Sequence, residues 1–338
     1  MTTKLNIGLI GAGRIGRVHA ENLAYRIPGI NLASVADVFL EAAEKCAADF
    51  QIPEVTQDPQ TIINDGDIDA VIICSSTDTH AQFIADAANA GKHIFCEKPI
   101  ALDLDVIDEA LTAVERSGVK LQLGFNRRFD PNFKQARDMV AAGEIGTPHI
   151  VHIISRDPSP PPVEYIKVSG GIFLDQTIHD FDMARFLLDS EVEEVYAVGG
   201  VMVDPAIGAA GDIDTAITTL RYANGAIGMI DNSRQAVYGY DQRVEVFGSE
   251  GTVVVGNRTP HTAVYSNAQA VQSAKPLYFF LERYMDAYLA EMKVFVDCVI
   301  QDTPPPVTGM DGRVPVVMGL AAWKSYRENR PVKLSEIS

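Results

Sequence analysis

The chain has 338 residues, enough for two domains. Hydrophobic residues make up 47% and charged residues 22%, the balance of a globular chain rather than a disordered one. The 28 lysines and arginines face 45 aspartates and glutamates, a formal net charge of −17. That argues against nucleic acid and anionic membranes as partners, since both need a basic face.

The chain opens with "MTTKLNIGLIGAG", whose apolar stretch is too short for a signal-peptide core and runs straight into glycines. No segment approaches the roughly 20 uninterrupted apolar residues of a membrane-spanning helix. Cys46, Cys74, Cys96 and Cys298 show no CxxC pairing, and Cys74 and Cys96 lie in apolar strand-like runs. Reduced cysteines, no zinc site and a cytoplasmic location are expected.

"KLNIGLIGAGRIGRVHAENL" is a short strand, then Gly11-x-Gly13-x-x-Gly16, then a helical pattern. Gly11 permits the tight turn, Gly13 lets a pyrophosphate approach the backbone, and Gly16 lets the helix pack on the strand. The helix start, with Arg14 and Ile15, offers its N–H groups and positive dipole end to phosphates. A second apolar run, "INLASVADV", carries Asp37, 21 residues after Gly16, where an acid is expected to hold a ribose 2′-hydroxyl. A carboxylate there repels a 2′-phosphate, and Val38 and Phe39 are not basic, so NAD is favoured over NADP.

"DAVIICSSTDTH" reads as a buried strand ending in Ser75, Ser76 and Thr77, and a helix pattern follows from Asp78 to Asn89. His80 near its start is placed to cap that helix or touch the cofactor. "GKHIFCE" is another strand, followed by a helix over about Asp103–Ser117, and "VKLQLGFNRRF" holds a fifth strand. Continuous apolar strands alternating with helices imply a parallel sheet covered on both faces, with ligands beyond the strands' C-terminal ends. Ser75–Thr77, Glu97 with Lys98, and Asn126–Arg128 fall at such ends, so Glu97, Lys98 and Arg127 join the expected cofactor crevice.

From about Pro148 the pattern becomes alternating: "HIVHIISR", then stretches near Val195–Val203, Ala216–Tyr222, Ala226–Ser233, Gln242–Gly248 and Thr252–Val255. They predict a largely antiparallel sheet with one open face, most simply covered by another subunit. Helical patterns lie at about Gly171–Leu188, Phe280–Ile300 and Asp311–Glu328. The expected architecture is α/β: an N-terminal Rossmann domain with a doubly wound parallel sheet over residues 1–124, and a C-terminal α+β domain with a large open, mostly antiparallel sheet over 125–338.

Within "GGIFLDQTIHDFDMARFLL", Asp175 and His179 are four apart and would share one face of a helix. A carboxylate one turn from a histidine fixes its tautomer and raises its basicity, as acid–base catalysis needs. Spacing alone fits a surface ion pair equally well, and no third ligand at a suitable spacing suggests a metal. His19, His80, His93, His149, His152 and His261 are weaker catalytic candidates, each more often structural.

These stretches together resemble the Gfo/Idh/MocA oxidoreductases. "GLIGAGRIG", "SSTDTHAQFIADAANAGKHIFCEKP", "GFNRRFD" and "GGIFLDQTIHDFD" carry the resemblance, and "SRDP", "YGYD" and "RYMDAYLAE" make it most similar to the inositol 2-dehydrogenases. The resemblance implies oxidation of a secondary alcohol of a cyclic polyol by hydride transfer to NAD. It also implies dimers or tetramers formed through the C-terminal sheet. It makes Lys98 the active-site lysine and Asp175–His179 the carboxylate–histidine pair. Asn126, with Arg127, Asp157, Tyr238 and Tyr240, joins these residues in lining the substrate pocket. Ser155 and Asp157 stand where a histidine and an asparagine are expected in myo-inositol enzymes, which leaves a scyllo-inositol or aldopyranose preference open. Some relatives are glycoside hydrolases that use tightly held NAD for transient oxidation, a further alternative. A nucleotide-binding regulator without turnover would need neither Lys98 nor the Asp175–His179 pair.

Overall fold

The structure, a computed structural model, describes residues 4–337. The first three residues of the stretch weighed as a leader lie outside the described residues. Among the described residues no helix is long and apolar enough to cross a membrane.

The chain forms two compact units. One holds the described chain through Phe129 together with Asp286–Val314; the other holds Asp130–Met285 and the chain from Pro315 onward. A single division near residue 125 therefore misses a returning segment. The cause is apolar: on the helix Met285–Ile300, Met292, Phe295 and Val296 are buried in the core of the first unit with Ile7, Leu9, Ile72 and Phe95.

The first unit is built on a six-stranded sheet of β1 (Leu5–Ile10), β2 (Ile30–Ala36), β3 (Glu54–Thr56), β4 (Ala70–Ile73), β5 (His93–Glu97) and β6 (Leu121–Gly124). Their order is β3-β2-β1-β4-β5-β6 and every pairing is parallel. β4, "AVII", is buried at all four positions, as a strand covered on both faces must be. The five-strand expectation misses β3, whose three residues are too short to show a period. The order turns outward from β1 towards β2 on one side and β4 on the other, which places a ligand crevice at the C-terminal ends of β1 and β4.

The second unit holds a seven-stranded sheet of β7 (Pro148–Arg156), β8 (Val192–Gly200), β9 (Thr215–Tyr222), β10 (Ile227–Ser233), β11 (Asp241–Gly248), β12 (Thr252–Val255) and β15 (Val332–Lys333). Between β12 and β15 in sequence, β13 (Val264–Ser266) and β14 (Val271–Ser273) form a separate exposed hairpin. The order is β12-β11-β7-β10-β9-β8-β15, antiparallel except for β7 with β10. Alternation along the strands splits the faces. Val151, Ile153, Leu220, Ile230, Val244 and Val246 are buried, whereas Ile150, Ile227, Phe247 and Val254 are exposed.

Candidate active site

In the first unit the glycine motif is a turn that side chains would destroy. Gly11 has φ +100°, and a Cβ there would lie 2.5 Å from the Cys74 carbonyl. A Cβ on Gly16 would lie 2.0 Å from the Gly11 carbonyl oxygen. Gly13 differs: a Cβ there would meet nothing within 4 Å. It is the N-cap of the helix Arg14–Tyr25 and makes no side-chain cap bond. An open approach to the first-turn N–H groups of a twelve-residue helix is what a pyrophosphate requires. Asp37 sits just past β2. Its Oδ2 accepts from the Ala12 N–H at 2.8 Å and its Oδ1 from the Phe39 N–H at 2.9 Å, so the glycine loop itself holds the carboxylate. The donor set fits a dinucleotide with a free ribose diol.

At the end of β4, Ser75 Oγ lies 2.7 Å from Thr79 Oγ1, and Ser76 is the N-cap of the helix Thr77–Asn89. His80 does not cap that helix with a side-chain bond to the N-cap position. It is buried, with Nδ1 at 2.7 Å from the Pro99 carbonyl and Nε2 at 3.0 Å from the Ser75 carbonyl. Burial pushes its pKa down, against those two carbonyls. His80 thus joins the loop after β4 to the loop after β5.

Lys98 follows β5 directly and is half-buried; the Lys98–Pro99 peptide is cis. Glu97, its neighbour, points into the unit and meets His19 Nε2 at 2.9 Å. After β6, a single 3-10 turn, Asn126–Phe129, carries the buried Asn126 and Arg127, and Arg128 pairs with Asp311 at 2.9 Å.

In the second unit, "GGIFLDQTIHDFDMARFLL" is not one regular helix. A short helix, Ile172–Asp175, ends before a second, Ile178–Leu188. The two residues between them are pinned to the sheet. Gln176 Nε2 donates to the Ser155 and Ser233 carbonyls, both at 3.1 Å, and Thr177 Oγ1 donates to Asn232 Oδ1 at 2.8 Å. Asp175 and His179 therefore stand at the end of one helix and the start of the next.

The Asp175 carboxylate is gripped from both sides. Tyr165 donates its hydroxyl to Oδ1 at 2.9 Å, and Arg234 Nη1 donates to Oδ2 at 3.1 Å. Arg234 Nη2 reaches Asp212 Oδ2 at 3.2 Å, and the Arg234 side chain is wholly buried. Burial pushes the guanidinium pKa down, but Asp175, Asp212 and Asp157 outweigh it and raise it. Burial, then the Asp175 charge, raises the Tyr165 phenol. Sequence reading missed Tyr165, Asp212 and Arg234. The only local signal is an arginine placed directly after strand β10; nothing around Tyr165 marks it.

Other expected pocket residues lie in the same unit. Tyr238 donates to Asp241 Oδ2 at 2.5 Å and accepts from Arg156 Nη1 at 3.2 Å. Tyr240 is buried edge-on to Phe279 and Tyr284. Ser155 is buried and donates to Gln242 Oε1 at 3.2 Å, while Asp157 is half-buried beyond the end of β7.

Residues 5–125 match the family described as "Oxidoreductase family, NAD-binding Rossmann fold", and residues 133–254 match the "GFO/IDH/MocA C-terminal domain". The chain is 50% identical over 333 residues to the myo-inositol 2-dehydrogenase of Thermotoga maritima, covering 98% of this chain and 99% of that one. A solved structure of a myo-inositol dehydrogenase from Corynebacterium glutamicum matches with a TM-score of 0.93 at 41% identity, over 98% of this chain and 99% of that one. The scyllo-inositol dehydrogenase of Lactobacillus casei, solved with bound NAD(H) and scyllo-inositol, matches with a TM-score of 0.92 at 29% identity, over 98% and 99%.

Proposed function

The chain belongs to the Gfo/Idh/MocA oxidoreductases, and from that premise we propose that it is an NAD-dependent inositol 2-dehydrogenase in which Lys98 and His179 act on one substrate hydroxyl. The observation that carries the assignment of roles is the grip of Tyr165 and Arg234 on Asp175, four residues before His179. A carboxylate held this firmly, four residues before the histidine, supports reading Asp175 as the group that orients His179 rather than as a loose surface charge.

NAD supplies the hydride acceptor when bound in the Gly11–Gly16 turn. Gly11, Gly13, Arg14 and Ile15 form the pyrophosphate cradle, and Asp37 takes the ribose diol. Ser75, Ser76, Thr77, His80, Glu97 and Arg127 shape the remaining wall of the crevice. His179 accepts the hydroxyl proton as the carbon–hydrogen bond breaks, and Asp175 steadies the resulting imidazolium. Lys98 donates a hydrogen bond to the same oxygen and stabilises its developing negative charge. Asn126, Arg127, Asp157, Tyr238 and Tyr240 are assigned to holding the other hydroxyls of the ring.

The test is a panel of myo-inositol, scyllo-inositol, aldoses and sugar acids with NAD⁺, following reduced cofactor. Net accumulation with an inositol supports the assignment. Accumulation with aldoses alone moves it to an aldopyranose dehydrogenase, and glycoside cleavage without net reduction moves it to a hydrolase. Lys98→Ala and His179→Ala should each lower turnover by roughly a hundredfold or more while NAD binding persists. Near-normal turnover in either variant removes that residue from the mechanism.

A cytoplasmic homo-oligomer, dimer or tetramer, completes the reading. The exposed Ile150, Ile227, Phe247 and Val254 on the open sheet face support a second copy covering it. Light scattering that finds only monomer at micromolar concentration would reject this.

A further inference from the structure

Around Glu97, the chain neighbour of Lys98, the first unit gathers ionisable side chains whose protons the mechanism above does not use. His19 comes from the helix Arg14–Tyr25, Glu97 from the end of β5 and Glu291 from the helix Met285–Ile300. His19 and Glu291 are wholly buried, and the Glu97 side chain is 12% exposed. One side-chain N or O atom from each lies within 4.8 Å of the others. Glu97 Oε1 lies 2.9 Å from His19 Nε2, whereas neither carboxylate oxygen of Glu291 has a hydrogen-bond donor.

The surroundings are specific as well as apolar. Gly124, the register partner of Glu97 on β6, makes room for the carboxylate: a Cβ there would lie 2.9 Å from Glu97 Oε2. Gln122 Nε2 donates to the Glu291 carbonyl at 2.8 Å, tying β6 to the helix. The rings of Phe95 and Tyr288 stand edge-on to His19 at 5.1 and 5.9 Å. Of the neighbouring titratable groups, Cys74, just past β4, feels the Glu291 charge, and Tyr288 lies one turn back on the same helix.

Charge bookkeeping restricts the protonation. With His19 neutral and both glutamates ionised, two negative charges would share one buried site. Breaking even one buried pair in this way costs roughly 3–5 kcal/mol. A proton on Glu291 removes one charge and gives a carboxyl that has no donor a proton of its own, within 4.8 Å of a Glu97 oxygen.

We propose that Glu291 is a neutral carboxylic acid that shares its proton with Glu97, and that this acid pair, completed by the His19 Nε2–H, is a positioning device holding one negative charge at the residue next to Lys98. No bond is made or broken beyond the sharing of that proton, and no charge leaves the group. Burial, followed by the charge of Glu97, raises the Glu291 pKa well above the ordinary carboxyl value, in agreement with the geometry. The catalytic part of the proposal rests on Lys98 acting at the substrate hydroxyl; the shared proton does not.

Difference infrared spectroscopy of the full chain reads the proton directly. The carbonyl-stretch band of a neutral carboxylic acid should persist at mildly alkaline pH and vanish in Glu291→Gln. Its absence from the unmodified protein overturns the proposal. So does a divalent cation that co-purifies in equimolar amount and is lost in Glu291→Gln. Stability gives a second reading that needs no activity. A carboxyl whose folded pKa is raised binds its proton more tightly in the fold, so its contribution falls as pH rises above 4.5 towards the raised value. Glu291→Gln should therefore gain stability relative to the parent across that range, and parallel curves overturn the proposal.

For the positioning role, Glu291→Leu should lower kcat roughly tenfold and displace its pH profile, while Glu291→Gln, which keeps a donor to Glu97, restores both. An unchanged profile in folded Glu291→Leu overturns that role even if the infrared band is present. If Lys98→Ala retains turnover, the catalytic reading fails while the infrared result still decides the proton.

Discussion

Arg234 and Asp175 stand 59 positions apart in sequence, yet the guanidinium Nη1 meets the carboxylate Oδ2 at 3.1 Å and the arginine side chain is wholly buried. The same guanidinium holds Asp212 at 3.2 Å. Asp212 in turn accepts at 3.0 Å from the Ile172 N–H, at the start of the short helix that ends in Asp175. One arginine therefore fixes both the carboxylate and the entry of the element that carries it. The arrangement explains how Asp175 keeps its place although no continuous helix runs through to His179.

Arg234→Ala leaves Asp175 and Asp212 facing each other without their shared cation. Removing one partner of a buried pair costs roughly 3–5 kcal/mol of stability, so thermal unfolding should move down by many degrees. Arg234→Lys keeps a charge but loses the fork that spans both carboxylates. It should stay folded and lose roughly tenfold or more in kcat, with KM changing less. A lysine variant whose kcat and pH profile match the parent would make Arg234 purely architectural.

The glycine turn separates folding from binding within three residues. Gly16→Ala drives a methyl group to 2.0 Å from the Gly11 carbonyl oxygen. The turn must then open, and the variant should lose both stability and NAD binding. Gly13→Ala meets no atom within 4 Å, and its backbone, φ −69° and ψ −168°, suits any residue. It should unfold at the parent's temperature while binding NAD at least tenfold more weakly, because the new methyl group occupies the pyrophosphate's approach. Calorimetry and fluorescence titration on the two variants check the contrast. Full NAD affinity in Gly13→Ala would move the cofactor away from this turn.

Asp37 accepts from two loop N–H groups, those of Ala12 and Phe39, and is the residue proposed to hold the ribose. Asp37→Ala should weaken NAD by roughly tenfold to a hundredfold, since hydrogen bonds to a charged group are worth about 1.5–3 kcal/mol. Discrimination against NADP should relax in parallel. Better use of NADP than NAD by the unmodified protein would refute the ribose argument.

Much of this site was legible from residue order because its signals are local. The Gly11–Gly16 turn, Asp37 at a fixed offset and Lys98 at a strand end are written within short stretches. The long apolar and alternating runs likewise mark the two sheets. What escaped notice is assembled by topology. Arg234 meets Asp175 only because β10 ends near the short helix, and Glu291 reaches the first unit only because a late helix returns to it. β3 has too few residues for a period. The break after Asp175 arises from Gln176 and Thr177 bonding to the sheet, which helical spacing cannot reveal.

Asp241 gives the second unit a test of opposite sign to that of Glu291. It is wholly buried and accepts from Arg243 Nε at 2.7 Å, from Tyr238 at 2.5 Å and from Asn257 Nδ2 at 2.6 Å. Burial alone would raise its pKa; these donors, Arg243 foremost, outweigh it and hold the carboxyl down to about 2 against an ordinary 3.8. A group depressed in the fold contributes stability that is fully present above its unfolded value and is lost as pH falls through the folded one. The contribution is about 2 kcal/mol at neutral pH, and it should disappear between about 3.8 and about 2. Asp241→Asn should thus be less stable than the parent near neutrality, with the gap closing across that acidic range. Chemical denaturation of both proteins at a series of pH values measures it. A gap that stays constant into acid would show that the network acts through packing and not through the charge on Asp241.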